Sequence, residues 1–229
     1  MPFTLSHPAA SVPLARRGLV LSALVVGSMA PDFQYLFPVL PGSTYSHSFA
    51  GVFLFSVPMG LIALWLFHAI LKQPLLSLLP TSHQRHLTLV AQGFSFGPPR
   101  RFALILTSLA LGALTHIAWD SFTHTQGWMV QHIDILRLPI IEVPHYSLRA
   151  HRILQHGSTL VGAALLYRWY TQWYKQAPAQ STETSTKLST KARLSILIAL
   201  GLVAAGLSVH RGLNAVSSSL SGIYAFQLF

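Results

Sequence analysis

The sequence predicts an all-α polytopic membrane protein, a helix bundle with four or five spans and a short helical hairpin at the N-terminus. Charged residues make up only 9% of the 229 residues, hydrophobic residues make up 52%, and the mean hydropathy is +0.50. Soluble globular domains contain about 25% charged residues, so this deficit indicates an integral membrane protein. The sequence contains no cysteine, which excludes disulfides and thiolate metal ligands.

Five apolar runs supply the predicted helices, and the first and the fifth are short or marginal against the roughly 17–25 residues that a span requires. The runs are Gly18–Ala30, Ala50–Leu71, Phe102–Trp119, Ile153–Tyr174 and Leu194–Val209. The first run is predicted either to span or to be re-entrant. In the re-entrant case it forms a helical hairpin with a helix from Ser6 to about Ala15, across a turn at residues 16–18.

The composition along the chain also predicts three regions. Residues 1–175 are expected to form a membrane-embedded domain that holds the functional site. Residues 176–193 are rich in Ser, Thr, Gln and Ala, which is typical of a flexible polar linker. Residues 194–229 are expected to form a C-terminal membrane helix and tail. A signal-peptide interpretation of the first run is disfavoured because Pro31 would follow the scissile bond.

The positive charges predict the orientation and exclude one class of partner. Lys72–Arg101 and Lys175–Arg193 each carry four basic residues, whereas Pro31–Phe49 carries none. The positive-inside rule therefore puts the two basic segments in the cytoplasm, and Pro31–Phe49 and Ser121–Arg152 outside. The net charge of +10 comes from residues scattered between apolar runs. We therefore expect contacts with membrane lipid and no nucleic-acid partner.

The strongest motif closes the third apolar run. His116, Asp120 and His124 are spaced i, i+4, i+8, so their side chains share one face if the helix continues. Two imidazoles and a carboxylate that converge on one point suit a bound transition metal. A carboxylate at the margin of a membrane span is costly and is typical of a functional site.

Other polar residues are expected at the same face of the membrane. Asp32 closes the first run and His47 opens the second, so alternating helices bring both to the predicted outer side with His116 and Asp120. The predicted hairpin brings His7 to the end where Asp32 lies. If the first fifteen residues stay in the cytoplasm instead, His7 is excluded from this site.

Four segments carry a family resemblance: Met1–Ala10, Gly27–Phe33, Ser46–Ser48 and Gly112–His124. They resemble a bacterial family of multi-pass membrane proteins known as a domain of unknown function (domain of unknown function 4184). That family is distantly similar to membrane-bound metal-dependent hydrolases and to zinc-dependent phospholipase C. The resemblance implies a site in the bacterial cytoplasmic membrane whose metal ligands are His7, Asp32, His116 and Asp120, with His47 as a further candidate.

The leading hypothesis is a metal-dependent hydrolase of ester or phosphoester substrates, either small molecules or lipid-derived, at the outer membrane face. The cofactor is expected to be a divalent metal, with Zn²⁺ preferred. His47 or His124 would transfer the proton. Two alternatives stay open: a protein that binds or transports metal ions or protons, and a membrane scaffold without catalytic activity.

Overall fold

The computed structural model describes residues 4–36, 45–143, 146–179 and 188–226, with the backbone alone for residues 211–226. The described chain is about 80% helical, with nine α-helices and one two-stranded sheet. The helices are α1 Pro8–Ser11, α2 Leu21–Gly27, α3 Phe49–Leu78, α4 Thr81–Ala91, α5 Pro99–Thr123, α6 Trp128–His132, α7 Asp134–Arg137, α8 Ala150–Gln176 and α9 Thr190–Phe226. Residues 180–187, in the predicted linker, lie outside the described residues.

The chain forms two compact units. The first comprises Met1–Lys72 and Gln92–Pro178, and the second comprises Gln73–Ala91 and Ala179–Phe229. All the residues that the sequence singles out as metal ligands or proton-transfer groups belong to the first unit. The fold that positions them is therefore that of the first unit alone.

Three helical segments of the described chain are long and apolar enough to cross a membrane: Phe49–Leu78, Pro99–His132 and Thr190–His210. This is consistent with membrane association, but the predicted four or five spans are not confirmed. The first apolar run forms only the seven-residue α2, about 10 Å long, which is far too short for a bilayer of about 30 Å. The fourth run forms the long α8. Because of Arg168 and its polar residues, this helix is not apolar enough to be counted among the three candidate spans.

The N-terminal segment folds back on itself through a glycine turn. The predicted helix from Ser6 is α-helical only over α1 and continues as a 3₁₀ helix over Val12–Arg17. Gly18 follows with a φ of +84°, a left-handed conformation that favours glycine. The Ser11 hydroxyl then donates a hydrogen bond to the Leu24 carbonyl oxygen at 3.4 Å, which ties α1 to α2.

Helix α2 packs closely against α5 because two glycines remove the side chains between them. A Cβ atom on Gly112 would lie 2.4 Å from the Leu24 carbonyl oxygen, and one on Gly27 would lie 2.3 Å from the Leu109 carbonyl oxygen. The backbones therefore touch directly. The buried cluster beside this contact consists of Ala23, Leu64, Ile105 and Leu109.

A short β-hairpin was not predicted. Strand β1 (Pro139–Val143) pairs antiparallel with β2 (Tyr146–Arg149) in the segment between α7 and α8. β1 is exposed along its length and contains the β-branched residues Ile140, Ile141 and Val143, which favour an extended backbone. The polar segment between two long helices thus contains regular structure.

The Gly112 contact yields a stability prediction. We expect Gly112→Ala to lower the free energy of unfolding by about 1–3 kcal/mol, because the added methyl group must push two helix backbones apart. Gly157→Ala is the matched control, since nothing lies within 4 Å of a Cβ at that helical position. Thermal unfolding in lipid nanodiscs measures both changes. Equal melting temperatures for the two variants would contradict the proposed role of the contact.

Candidate metal centre

Six titratable side chains from four separate segments of the chain meet at one end of α5; they are called the His–Asp cluster below. They are His7 at the start of α1, Asp32 in the 3₁₀ helix Ala30–Leu36, His47 just before α3, His116 and Asp120 on α5, and His124 directly after α5. The structure therefore brings together every residue that the sequence put forward as a ligand or a proton-transfer group. The roles of these residues remain predictions.

Donor atoms of the cluster lie close enough together to hold a metal ion in two groups of three that share His116: His7, His116 and Asp120, and Asp32, His47 and His116. His116 Nε2 lies 3.3 Å from His47 Nε2, 3.5 Å from Asp32 Oδ1 and 3.2 Å from Asp120 Oδ2. His47 Nε2 lies 3.3 Å from Asp32 Oδ1 and 3.5 Å from Asp120 Oδ2. A tetrahedron of ligands at about 2.0–2.1 Å from a zinc ion has edges of about 3.3–3.4 Å. The five distances of 3.2–3.5 Å are close to that edge length, so neighbouring donors of the cluster have the spacing of zinc ligands.

The other oxygen of Asp120 faces two further imidazoles. Asp120 Oδ1 lies 3.1 Å from His7 Nε2 and 3.3 Å from His124 Nδ1. Helix α5 ends at Thr123, so His124 reaches the carboxylate from the first residue beyond the helix. The side chain of His124 is 33% exposed, whereas that of His116 is fully buried. Asp120 thus contacts imidazoles through both of its oxygens, and His124 is the most exposed of them.

Polar contacts behind the ligand atoms fix their orientation. His116 Nδ1 lies 2.8 Å from the Ser28 carbonyl oxygen. This contact puts the ring proton on Nδ1 and leaves the lone pair of Nε2 available to bind a metal. His47 Nδ1 lies 2.9 Å from the Ser46 hydroxyl oxygen. The Thr4 hydroxyl donates to Asp32 Oδ2 at 2.5 Å. Metal sites commonly hold their ligands in this way.

Sequence reasoning missed these supporting groups, and it also left the role of His151 open. The Ser28 contact uses a backbone oxygen, which has no sequence signature, and Thr4 carries no signal beyond its place before His7. His151 is buried, but its ring nitrogens lie 3.2 Å from the Thr125 hydroxyl and 3.0 Å from the Leu136 carbonyl oxygen. It therefore joins α8 to the segment after α5, with both nitrogens occupied.

Asp32 and His47 lie outside the candidate membrane-spanning helices, and their opposite charges stabilise each other. Burial raises the pKa of the Asp32 carboxyl, but hydrogen bonds with His116 and His47 outweigh it and hold this pKa well below its usual range. Burial lowers the pKa of His47, but hydrogen bonds to Asp120 and Asp32 outweigh this effect and raise the pKa to about 9. A protonated His47 beside an ionised Asp32 would offset the negative charge of the carboxylate. A divalent cation would supply the same charge.

Comparison with known protein families identifies one match. The model of a family described as Domain of unknown function (DUF4184) matches residues 1–226. The chain belongs to the DUF4184 family. The family resemblance found in the sequence is thereby confirmed, while the bacterial origin and the distant similarity to hydrolases and phospholipase C remain predictions. No curated protein and no solved structure matches the chain.

The raised pKa of His47 predicts how stability depends on pH when no metal is present. A group whose pKa is higher in the folded state contributes stability that is complete below its unfolded pKa, about 6.5, and is lost as the pH rises through about 9. We therefore expect the melting temperature of chelator-treated protein to fall between pH 6.5 and 9.5. The decrease in melting temperature over this pH range should be smaller in His47→Gln than in the unmodified protein. Parallel curves would contradict the assignment.

Proposed function

We propose that this DUF4184 protein is a membrane-bound, metal-dependent hydrolase of ester or phosphoester substrates. The observation that carries the proposal is the set of five distances of 3.2–3.5 Å among His47 Nε2, His116 Nε2, Asp32 Oδ1 and Asp120 Oδ2. A metal ion requires several donors from separate segments within reach of one another, and the cluster contains two such groups of three that share His116.

The donor chemistry favours a zinc ion. The donors are imidazole nitrogens and carboxylate oxygens, which are ordinary zinc ligands, and a group of three leaves the fourth position of a tetrahedral zinc ion for water. The two carboxylates also supply two negative charges in a mostly buried place, which neutralise a divalent ion. His7 is proposed as a ligand from the side of the second Asp120 oxygen, in agreement with the sequence-based set.

A zinc ion bound here would polarise the scissile group and lower the pKa of a coordinated water toward about 7. The residues of the chain supply the remaining functions. Asp120 contacts His47 and His116 through one oxygen and His7 and His124 through the other. It would therefore define the position at which an oxygen atom of the substrate meets the cluster. His124 is the most exposed imidazole whose contact with Asp120 is defined, and we propose that its ring accepts the proton of the attacking water and returns it to the leaving group.

The location of the cluster along α5 supports an orientation. Arg100 and Arg101 lie in the first turn of this helix, whereas His116 lies 16 residues later, about 24 Å along the axis. Basic residues at one end of a span are typical of its cytoplasmic end. We therefore propose a protein of the bacterial cytoplasmic membrane with the cluster at the outer face, where amphipathic substrates are accessible.

The transport alternative has less support. A conduction path needs polar or ionisable groups through the depth of the span. Between Phe102 and Leu114, α5 carries only Thr107 and Ser108 as polar residues, and their hydroxyls donate to the Ala103 and Leu104 carbonyl oxygens of the same helix. The titratable groups of α5 are concentrated near its two ends. Ion flux in proteoliposomes without hydrolysis would favour transport.

Metal content tests the first step of the proposal. We expect the purified protein to hold about one equivalent of zinc per chain. His116→Ala and Asp120→Ala should lose most of it, because each removes a donor from the buried group. His156→Ala, an exposed histidine on α8, is the matched control and should keep the metal. Elemental analysis after size-exclusion chromatography gives the ratio, and metal content unchanged in all three variants would contradict the site.

Hydrolysis tests the second step. We expect the zinc-loaded protein to cleave p-nitrophenyl esters or p-nitrophenyl phosphoesters in nanodiscs, and a chelator to remove this activity reversibly. His124→Gln should lower kcat while leaving metal content unchanged, because a proton-transfer group acts on the rate rather than on metal binding. Activity that survives both chelation and Asp120→Ala would exclude the cluster as the active site.

A further inference from the structure

A cavity of about 160 Å³ lies beside the His–Asp cluster, between α1, α5 and α8. Its wall is mostly apolar, and its main lining side chains are Ala9, Ala10, Trp119, Val161 and Leu165. His7 of the cluster forms part of the same wall. One residue therefore contacts both the carboxylate group and an apolar space.

Small residues and one hydrogen bond maintain this space. Gly162 brings α8 close to the N-terminal segment, since a Cβ there would lie 3.0 Å from the Ser6 carbonyl oxygen. Ala9 and Ala10 present only methyl groups where larger side chains would fill the gap. The Trp119 indole N–H donates to the Ser158 hydroxyl at 3.2 Å, which fixes the ring between α5 and α8.

His7 differs from the other ring ligands in one respect. The second ring nitrogen of His116 meets the Ser28 carbonyl oxygen, and that of His47 meets the Ser46 hydroxyl. His7 Nδ1 is buried and has no hydrogen-bond partner among the described residues. A buried nitrogen without a partner costs free energy. The His7 ring is thus held by a polar contact through Nε2 alone, and a ligand in the cavity that packs against the residue would help to fix its position.

The dimensions define what fits. A cavity of about 150 Å³ lined by apolar side chains is known to bind benzene, so about six carbon atoms fit here. The space opens at the protein surface, because Val161 and Leu165 on its wall are 59% and 39% exposed. A linear chain can therefore enter with its polar end at His7 and extend outward at the other end.

We propose that this cavity binds the alkyl chain of the substrate and so selects an amphipathic ester or phosphoester, a proposal that rests on the hydrolase function argued above. The polar group lies at His7, next to Asp120, and about six carbons of the chain lie against Trp119 and α8. Residues Val161 and Leu165 then set the preference for chain length.

Chain binding is testable without catalysis, by quenching of Trp119 fluorescence with a brominated chain. The probes are 6-bromohexyl phosphate and 2-bromoethyl phosphate, which share the same head group, with the full-length protein in nanodiscs. The Trp119 signal is the difference between the unmodified protein and Trp119→Phe. We expect saturable quenching by the hexyl probe, with at least about tenfold tighter binding than the ethyl probe, since each buried methylene adds affinity.

Two neighbouring substitutions on α8 supply the matched pair. Val161→Phe fills the cavity and should weaken the hexyl probe about tenfold, whereas Leu160→Phe, at a residue outside the lining, should leave it unchanged. Equal quenching by the two probes, or equal effects of the two variants, overturns the proposal. If the enzyme assay fails but this binding pattern appears, only the hydrolase function is rejected. If hydrolysis succeeds, KM for p-nitrophenyl hexanoate should rise in Val161→Phe while KM for p-nitrophenyl acetate does not.

Discussion

The buried charge of Asp120 is the constraint on which the site depends. Its two oxygens lie 3.1–3.5 Å from four imidazole nitrogens, those of His7, His47, His116 and His124. Burial of an ionised carboxylate costs several kcal/mol unless positive charge and hydrogen bonds offset it. Neutral imidazoles can donate only one hydrogen bond from each ring, and two of the four rings already use their other nitrogen elsewhere. Protonated histidines or a cation would offset the charge of the carboxylate.

The packing of α2 against α5 turns this requirement into a geometry. Gly27 and Gly112 allow direct backbone contact, and that contact delivers the Ser28 carbonyl oxygen to the buried ring of His116. The His116 ring in turn stacks on His7 with 4.0 Å between the ring centroids. His7 thus contacts the carboxylate of a residue 113 positions later in the chain. A change in the distance between these two helices would move the donors out of register.

The sequence predicted the features that depend on local pattern and missed those that depend on packing. Uncharged apolar runs predicted α3 and α5, and the i, i+4 spacing placed His116 beside Asp120, while helix alternation brought Asp32 and His47 to the same end. Hydropathy predicted four or five spans, of which three candidate helices are found among the described residues, and the first run forms only the short α2, whose Ala23 and Leu24 are buried. No residue pattern revealed the Ser28 carbonyl contact with His116, since it depends on the distance between separate segments.

The position of His7 couples the two halves of the site. Its Nε2 faces the Asp120 carboxylate, and the residue also borders the apolar cavity between α1 and α8. A ligand that fills the cavity therefore changes the packing of a residue in contact with the cluster. Substrate chains that fit would hold the His7 ring in place, and chains too short to fill the space would leave it less constrained. Because remote binding energy of this kind can be used to orient the reacting group, the apolar pocket would contribute to catalysis as well as to affinity under the proposed function.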